Sequence, residues 1–224
     1  MGISNTIPPS RLIQPGVVAN TAARPTSPFT GQAIYQVDTN QMLIWNGTAW
    51  VIPNSPAQNP DGMALVKTQT VGSGVTSVTV TGAFSANYDN YEVLYTGGTI
   101  TSSGGDGQLQ LALGSSTTGY TSFLQYTNGV SNLVATSGAI AGFGWVGGGS
   151  TGSALLQARL YSPFLAMHTR SESAGYNSYN NGFVGRSIGF HAVASSYTDF
   201  TITTTGTGTS ITGGTIRVYG LRNS

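Results

Sequence analysis

Apolar and polar positions alternate with a period of two along most of this chain. No window carries a sustained 3.6-residue apolar period, so strands are expected throughout, with few and short helices. The alternation is cleanest in Gln108–Leu113, where Leu109, Leu111 and Leu113 share a face. It is also clear in Asn90–Ile100, where Tyr91, Val93 and Tyr95 alternate with Glu92, Leu94 and Thr96. Further strands are predicted at Ala64–Val71, Val75–Thr81, Ser153–Tyr161, Leu165–Arg170, Gly182–Ala192, Asp199–Thr205 and Thr215–Leu221. Gly72-Ser73-Gly74 between the first two of these predicts a hairpin, and Gly147-Gly148-Gly149 reads as a flexible connection. Strands at this spacing, with Gly-rich links, predict an all-β chain whose main domain is an antiparallel, jelly-roll-like β-sandwich.

A separate pattern precedes it. Gln32–Val37, Gln41–Trp45 and Ala49–Ile52 predict a three-stranded β-meander, turned at Asp38-Thr39-Asn40 and at Asn46-Gly47. Asn-Gly is a strong hairpin signal because a type I′ turn needs positive φ at both central residues. So small a ribbon is marginal alone and is expected to pack on copies of itself or on a larger partner. Residues 53–62, with three prolines and an Asp-Gly, form a linker to the main domain at 63–224. Residues 1–25 hold too many prolines for a helix or central strand, yet they carry apolar side chains. An extended arm is expected there, docking through Ile3, Ile7, Leu12, Ile13 and Val17 and stiffened by Pro8 and Pro9.

Charge is scarce. Only 7% of the 224 residues are Asp, Glu, Lys or Arg, the net charge is +1, and Lys67 is the sole lysine; ordinary globular chains carry about 25% charged residues. A near-neutral chain projects no long-range field toward nucleic acid, so no nucleic-acid partner is expected. The 39% hydrophobic content argues against a disordered Gly/Ser/Thr linker. Without cysteine there is no disulfide, thiol chemistry or cysteine-ligated metal. Met1–Gly16 lacks the apolar run of a secretory signal. No stretch reaches the roughly 20 apolar residues that span a bilayer as a helix, and no membrane insertion is expected.

Catalytic signatures are sparse, and the chain is read as a non-enzyme without cofactor or metal. His168 and His191 lie on predicted strands with no partner at metal-ligand spacing. A glycosidase needs two carboxyls roughly 5–10 Å apart; Glu172 with Asp106 is the pairing that three dimensions could create. Gly104-Gly105-Asp106-Gly107 has no following Lys-Ser/Thr and forms no phosphate loop. Recognition chemistry is better represented. Tyr176, Asn177, Tyr179 and Asn180 crowd the predicted loop Ser171–Gly182, Tyr120 and Tyr126 lie in a second segment, and Trp145 sits among glycines. Tyr and Asn build adaptable contact surfaces at low entropic cost. The same residues are also suited to stacking on sugar rings or to packing a subunit interface, and the sequence leaves both open.

The ordered set Arg24-Pro25, Pro28, Gly31-Gln32, Ile34-Tyr35, Asp38-Thr39-Asn40 and Trp45-Asn46-Gly47 with Trp50 resembles a collar module found near the N-termini of tailed-bacteriophage virion proteins. Tyr197–Phe200, Ile211–Thr215 and Ile216–Gly220 are similar to the closing strands of fibre and appendage domains from the same viruses. Residues 107–180 lie outside the resemblance. It implies a virion structural protein, made in the host cytoplasm and released by lysis. Residues 1–25 would anchor to other virion proteins of tail or capsid. Residues 26–52 would form the collar, through Tyr35, Asp38, Asn40, Trp45, Asn46, Gly47 and Trp50. Residues 63–224 would form a homotrimeric distal domain that contacts a host-surface glycan. A capsid decoration, cement or head-fibre protein is the alternative, and a carbohydrate-binding module the third reading.

Overall fold

The computed structural model describes residues 16–53, 62–103, 107–178 and 183–221. The chain divides into two compact units between Pro60 and Asp61.

The first unit is a four-stranded sheet in chain order: β1 (Gly16–Val18), β2 (Ala33–Gln36), β3 (Gln41–Trp45) and β4 (Trp50–Val51). The meander β2–β3–β4 is antiparallel, as expected. The additional strand is β1, which pairs parallel to β2, so within residues 1–25 Gly16–Val18 is extended and pairs with its own chain. Val17 stays mostly exposed; Ile3, Ile7, Pro8, Pro9, Leu12 and Ile13 lie outside the described residues. The Asn-Gly turn also differs from expectation. Gly47 alone has positive φ, at 102°, and the connection is a longer loop, Asn46–Ala49. Asn46 holds it by accepting from the backbone N–H groups of Thr48 (2.9 Å) and Ala49 (2.8 Å), an Asx turn in place of type I′.

The second unit is an open antiparallel sheet of twelve strands, β-sandwich-like. They are β5 (Met63–Thr70), β6 (Ser77–Val80), β7 (Asn90–Thr101), β8 (Gly107–Leu113), β9 (Tyr120–Thr127), β10 (Asn132–Ile140), β11 (Phe143–Gly149), β12 (Ala154–Tyr161), β13 (Met167–Ser178), β14 (Phe183–Ser195), β15 (Phe200–Thr205) and β16 (Ser210–Leu221). The sheet forks at β12. One edge of β12 pairs with β7 along its length, from Ala154↔Gly98 to Tyr161↔Asn90. Its other edge pairs first with β11, at Ala154–Leu156, and then with β13, at Ala158–Tyr161. From the fork, β13–β14–β9–β10 continues the layer that contains β5, β16 and β7, while β11–β8–β15–β6 folds back over it. The inward residues of both layers form one core, with Tyr91, Val93, Tyr95, Leu109, Leu111, Leu113, Leu156, Leu160, Phe200 and Val218 all essentially inaccessible. Burial of that kind stabilises by about 25 cal/mol per Å² of apolar surface.

Two sequence expectations are overturned. β5 and β6 do not form a hairpin: β5 pairs with β16 and β6 with β15, so the Gly72–Gly74 segment passes between layers. Gly147–Gly149 is not a flexible connection but part of the buried strand β11. Glycine is required at Gly147, where a Cβ would sit 2.4 Å from the Leu155 carbonyl oxygen.

β11 is irregular because four of its residues span two on β8: Phe143 faces Leu111 and Gly147 faces Leu109. Between them Trp145 has φ of 57°. The peptide groups in this bulge leave the ladder and would be buried without partners, a cost of about 1–3 kcal/mol each. Buried serines on the inner face of the other layer replace the ladder. Gly144 N–H donates to Ser122 Oγ (2.9 Å), Ser187 Oγ donates to the Trp145 carbonyl (3.1 Å), and Ser173 Oγ donates to the Val146 carbonyl (2.6 Å). This seam is the reason β9, β13 and β14 present small polar side chains inward.

Deeper in the same face, His191 is fully buried. Its Nε2 lies 2.9 Å from Ser116 Oγ and 3.1 Å from the Thr118 carbonyl. Its ring lies 4.1 Å from that of Tyr120. Burial pushes its pKa below the ordinary 6.5, against the raising effect of the Thr118 carbonyl.

Two measurements test this interior. Ser173→Ala strands the buried Val146 carbonyl and should cost about 1–3 kcal/mol in urea unfolding. Ser171→Ala removes a buried hydroxyl that has no partner among the described residues and should cost far less. Equal losses would refute the seam. Because the folded chain keeps His191 neutral, its contribution is complete above the ordinary value of 6.5 and is lost as pH falls through the depressed folded value. Melting temperature should therefore drop as pH falls from 6.5 toward that depressed value, and His191→Gln should flatten the drop; an unchanged slope would assign the acid sensitivity elsewhere.

Candidate functional site

The outward face of the larger layer carries a concavity built around one strand. Strand β13 supplies its axis. His168, Arg170 and Glu172 are exposed, while Thr169, Ser171 and Ser173 between them are buried in the inner face. The period of two therefore gives one strand two unrelated jobs.

Pairing register assembles the neighbours. One row across the sheet runs Tyr219, Glu92, Arg159, Glu172, Ile188 and Phe123, contributed by β16, β7, β12, β13, β14 and β9. The row beside it runs Asn90, Tyr161, Arg170, Phe190 and Thr121. A groove of about 770 Å³ opens beside these rows, lined by Tyr161, Met167, His168, Arg170, Glu172 and Ile188, among others. A second depression of about 260 Å³, with Glu92, Arg159 and Arg186 on its wall, shares Glu172 with the first.

Polar contacts position these side chains. Tyr161 Oη donates to Glu172 Oε2 at 3.0 Å. Burial and the Glu172 carboxylate together push the Tyr161 pKa up, so the phenol stays protonated and remains the donor. Glu92 receives Gln157 Nε2 at 2.9 Å on one oxygen and pairs with Arg159 Nη2 at 3.5 Å through the other. The imidazole of His168 packs edge-on against Phe190, with ring centroids 5.2 Å apart. Backbone pairing on both sides of β13 makes the platform rigid, so a ligand would meet side chains held on sheet rather than loop.

The sequence-predicted recognition residues are distributed differently. Tyr120 belongs to the core at 1% exposure, its hydroxyl accepting from Leu113 N–H at 2.8 Å, so it is not a surface residue in this chain. Trp145 is half-buried in the β11 bulge. Tyr126 packs its ring 5.2 Å from that of Phe183 at the far end of β9. Tyr176 and Asn177 belong to strand β13 rather than a loop, and register places Tyr176 opposite Gly185, which in turn faces Tyr126. Tyr179 and Asn180 lie outside the described residues. Asp106 of the suggested Glu172–Asp106 pair also lies outside them. Sequence reasoning passed over Tyr161, Arg170 and Ile188; the signal was the alternation of charged and small residues over 168–173.

In the small unit the collar residues fall in three groups. Tyr35 Oη donates to Asn40 Oδ1, whose residue closes the β2–β3 turn with φ of 54°. Trp45 and Trp50 face each other across β3 and β4 edge-to-face, 5.6 Å between centroids, above the Asn46-Gly47 loop. Asp38 accepts from Gln36 Nε2 at 2.7 Å, and Gln36 Oε1 receives Arg24 Nε at 2.7 Å. Gln36 is fully buried, and the sequence did not single it out.

Among the described residues no group of three or more His, Asp or Glu side chains is placed to hold a metal ion. Comparison with known proteins finds no match for this chain among family models, curated proteins or solved structures.

Proposed function

We propose that this chain is a non-enzymatic structural protein of a tailed-bacteriophage virion, a homotrimeric fibre or tail appendage whose larger unit touches host-surface glycans. The observation that carries the contact role is the outer-face groove. An aromatic hydroxyl, a carboxylate, a guanidinium and an imidazole converge there over an apolar floor of Ile188 and Met167. Such a set can hydrogen-bond sugar hydroxyls while covering the ring's C–H face. The virion role rests on the resemblance of the 24–50 segment and the closing strands. Low surface charge agrees with it, since a near-neutral β chain gains colloidal security inside an assembly. Modest affinity at one groove becomes useful when three copies bind together.

A decoration or head-fibre role is the second reading. It is favoured by an exposed apolar group, Phe123, Val134, Val184 and Ile188, carried on β9, β10 and β14, which suits burial against a larger surface.

Immunogold electron microscopy of purified particles, with antibody against residues 63–224, separates these. Label at the tail or fibre tips is expected. Label over the shell would replace the appendage with the decoration role, and unlabelled particles would refute both. Light scattering of the purified full chain should give three copies per particle; a monomer would remove the trimer.

A further inference from the structure

We propose that the outer-face groove selects acidic glycans, with Arg170 receiving a sugar carboxylate. The inference deepens the glycan reading above and rests on it.

The distribution of charge carries it. The chain has only 15 formally charged side chains, 8 basic and 7 acidic. Six of them, Glu92, Arg159, Arg170, Glu172, Arg186 and Arg217, lie on this single face by strand register, including both glutamates of the sequence. Four arginines against two glutamates leave the face positive. A chain so sparing of charge has no general need of a solvated charged surface here; many of its other outward strand positions are Thr, Ser, Gln or apolar residues.

Among the described residues, partners within the face leave two cations, Arg170 and Arg186, without an ion pair or side-chain hydrogen bond, and of these Arg170 lines the larger groove. Arg159 is paired with Glu92, and Arg217 Nη1 reaches Thr96 Oγ1 at 3.5 Å. The Glu172 carboxylate takes the Tyr161 hydroxyl. Among the described residues Arg170 has no ion pair or side-chain hydrogen bond, yet it stands directly opposite Tyr161 in register and lines the larger groove. The Tyr161 hydroxyl is engaged diagonally by Glu172, and Arg170 lines the groove beside it. A guanidinium stays charged at every physiological pH and matches a carboxylate with two parallel N–H···O bonds. The Tyr161 ring and Ile188 give the sugar an apolar wall, and Glu172, on the same strand face, repels a second anion and limits the site to one acidic group per residue of glycan. A single exposed ion pair is weak, so the discrimination appears in multivalent binding rather than at one site.

The test uses the full chain and a panel of carboxylated polysaccharides: polygalacturonate, alginate, hyaluronan and polysialic acid. Each is compared with its carboxyl-reduced counterpart, with dextran and dextran sulfate alongside. At least one acidic polymer should bind tenfold or more tightly than its reduced form, with affinity falling as salt rises. Arg170→Gln should remove most of that preference, Arg170→Lys should retain part, and neither should move the melting temperature, because Arg170 is exposed. Equal binding of acid and reduced polymer, or an unaltered preference in Arg170→Gln, would overturn the inference and leave the glycan reading standing. Equal or tighter binding of dextran sulfate would overturn the carboxylate assignment in favour of general anion attraction. Failure to bind any polysaccharide would remove the glycan reading and this inference with it.

Discussion

The hydroxyl-to-peptide seam across β11 is the interaction on which the larger unit depends. Where the sheet forks at β12, one arm must turn back over the other, and β11 makes that turn by carrying two extra residues against β8. Its displaced peptide groups would be a severe penalty in a dry interior. Ser122, Ser173 and Ser187 absorb it with short side chains that reach the backbone without holding the layers apart. Gly189 contributes space: a Cβ there would lie 2.4 Å from the Phe143 ring. Beyond the seam, Leu, Val, Phe and Tyr resume and the core becomes apolar. The sandwich is therefore sealed by hydrocarbon over one part and by hydroxyl bonds over the other.

That division accounts for what could be read from the sequence. β7 and β8 were legible because they face the apolar part, where inward Tyr91, Val93, Leu109 and Leu111 contrast with their polar neighbours. Along the seam the contrast vanishes, since inward residues are Ser, Thr and Gly and outward ones are as often apolar. Strand β9 and the bulged β11 consequently looked like connection, and the first half of Ser171–Gly182 looked like a loop. The 72–74 hairpin failed for another reason. Local turn chemistry cannot report that β16 and β15 are better partners for the flanking strands than those strands are for each other.

The candidate groove was illegible for a related reason. Its side chains come from β12, β13, β14 and the turn between β12 and β13, and only pairing register brings Tyr161 beside Arg170. Composition pointed instead to Tyr- and Asn-rich segments, which the fold distributes between the core, the bulge and the far end of β13. In the small unit the position of the turns was readable, but the buried bonds of Gln36 to Arg24 and Asp38 were not, because a glutamine between Tyr35 and Val37 looks like an ordinary outward residue.

The two-faced character of β13 bears on how such a protein can change over generations. Thr169, Ser171 and Ser173 are committed to the interior, whereas His168, Arg170 and Glu172 are exposed and lie outside the core. Mutation at the outward positions is thus insulated from foldability by the strand's own geometry. A lineage can rewrite the chemistry of this face one residue at a time, each intermediate keeping an intact seam, so that variation accumulates on one side of a strand while the other side stays under constraint.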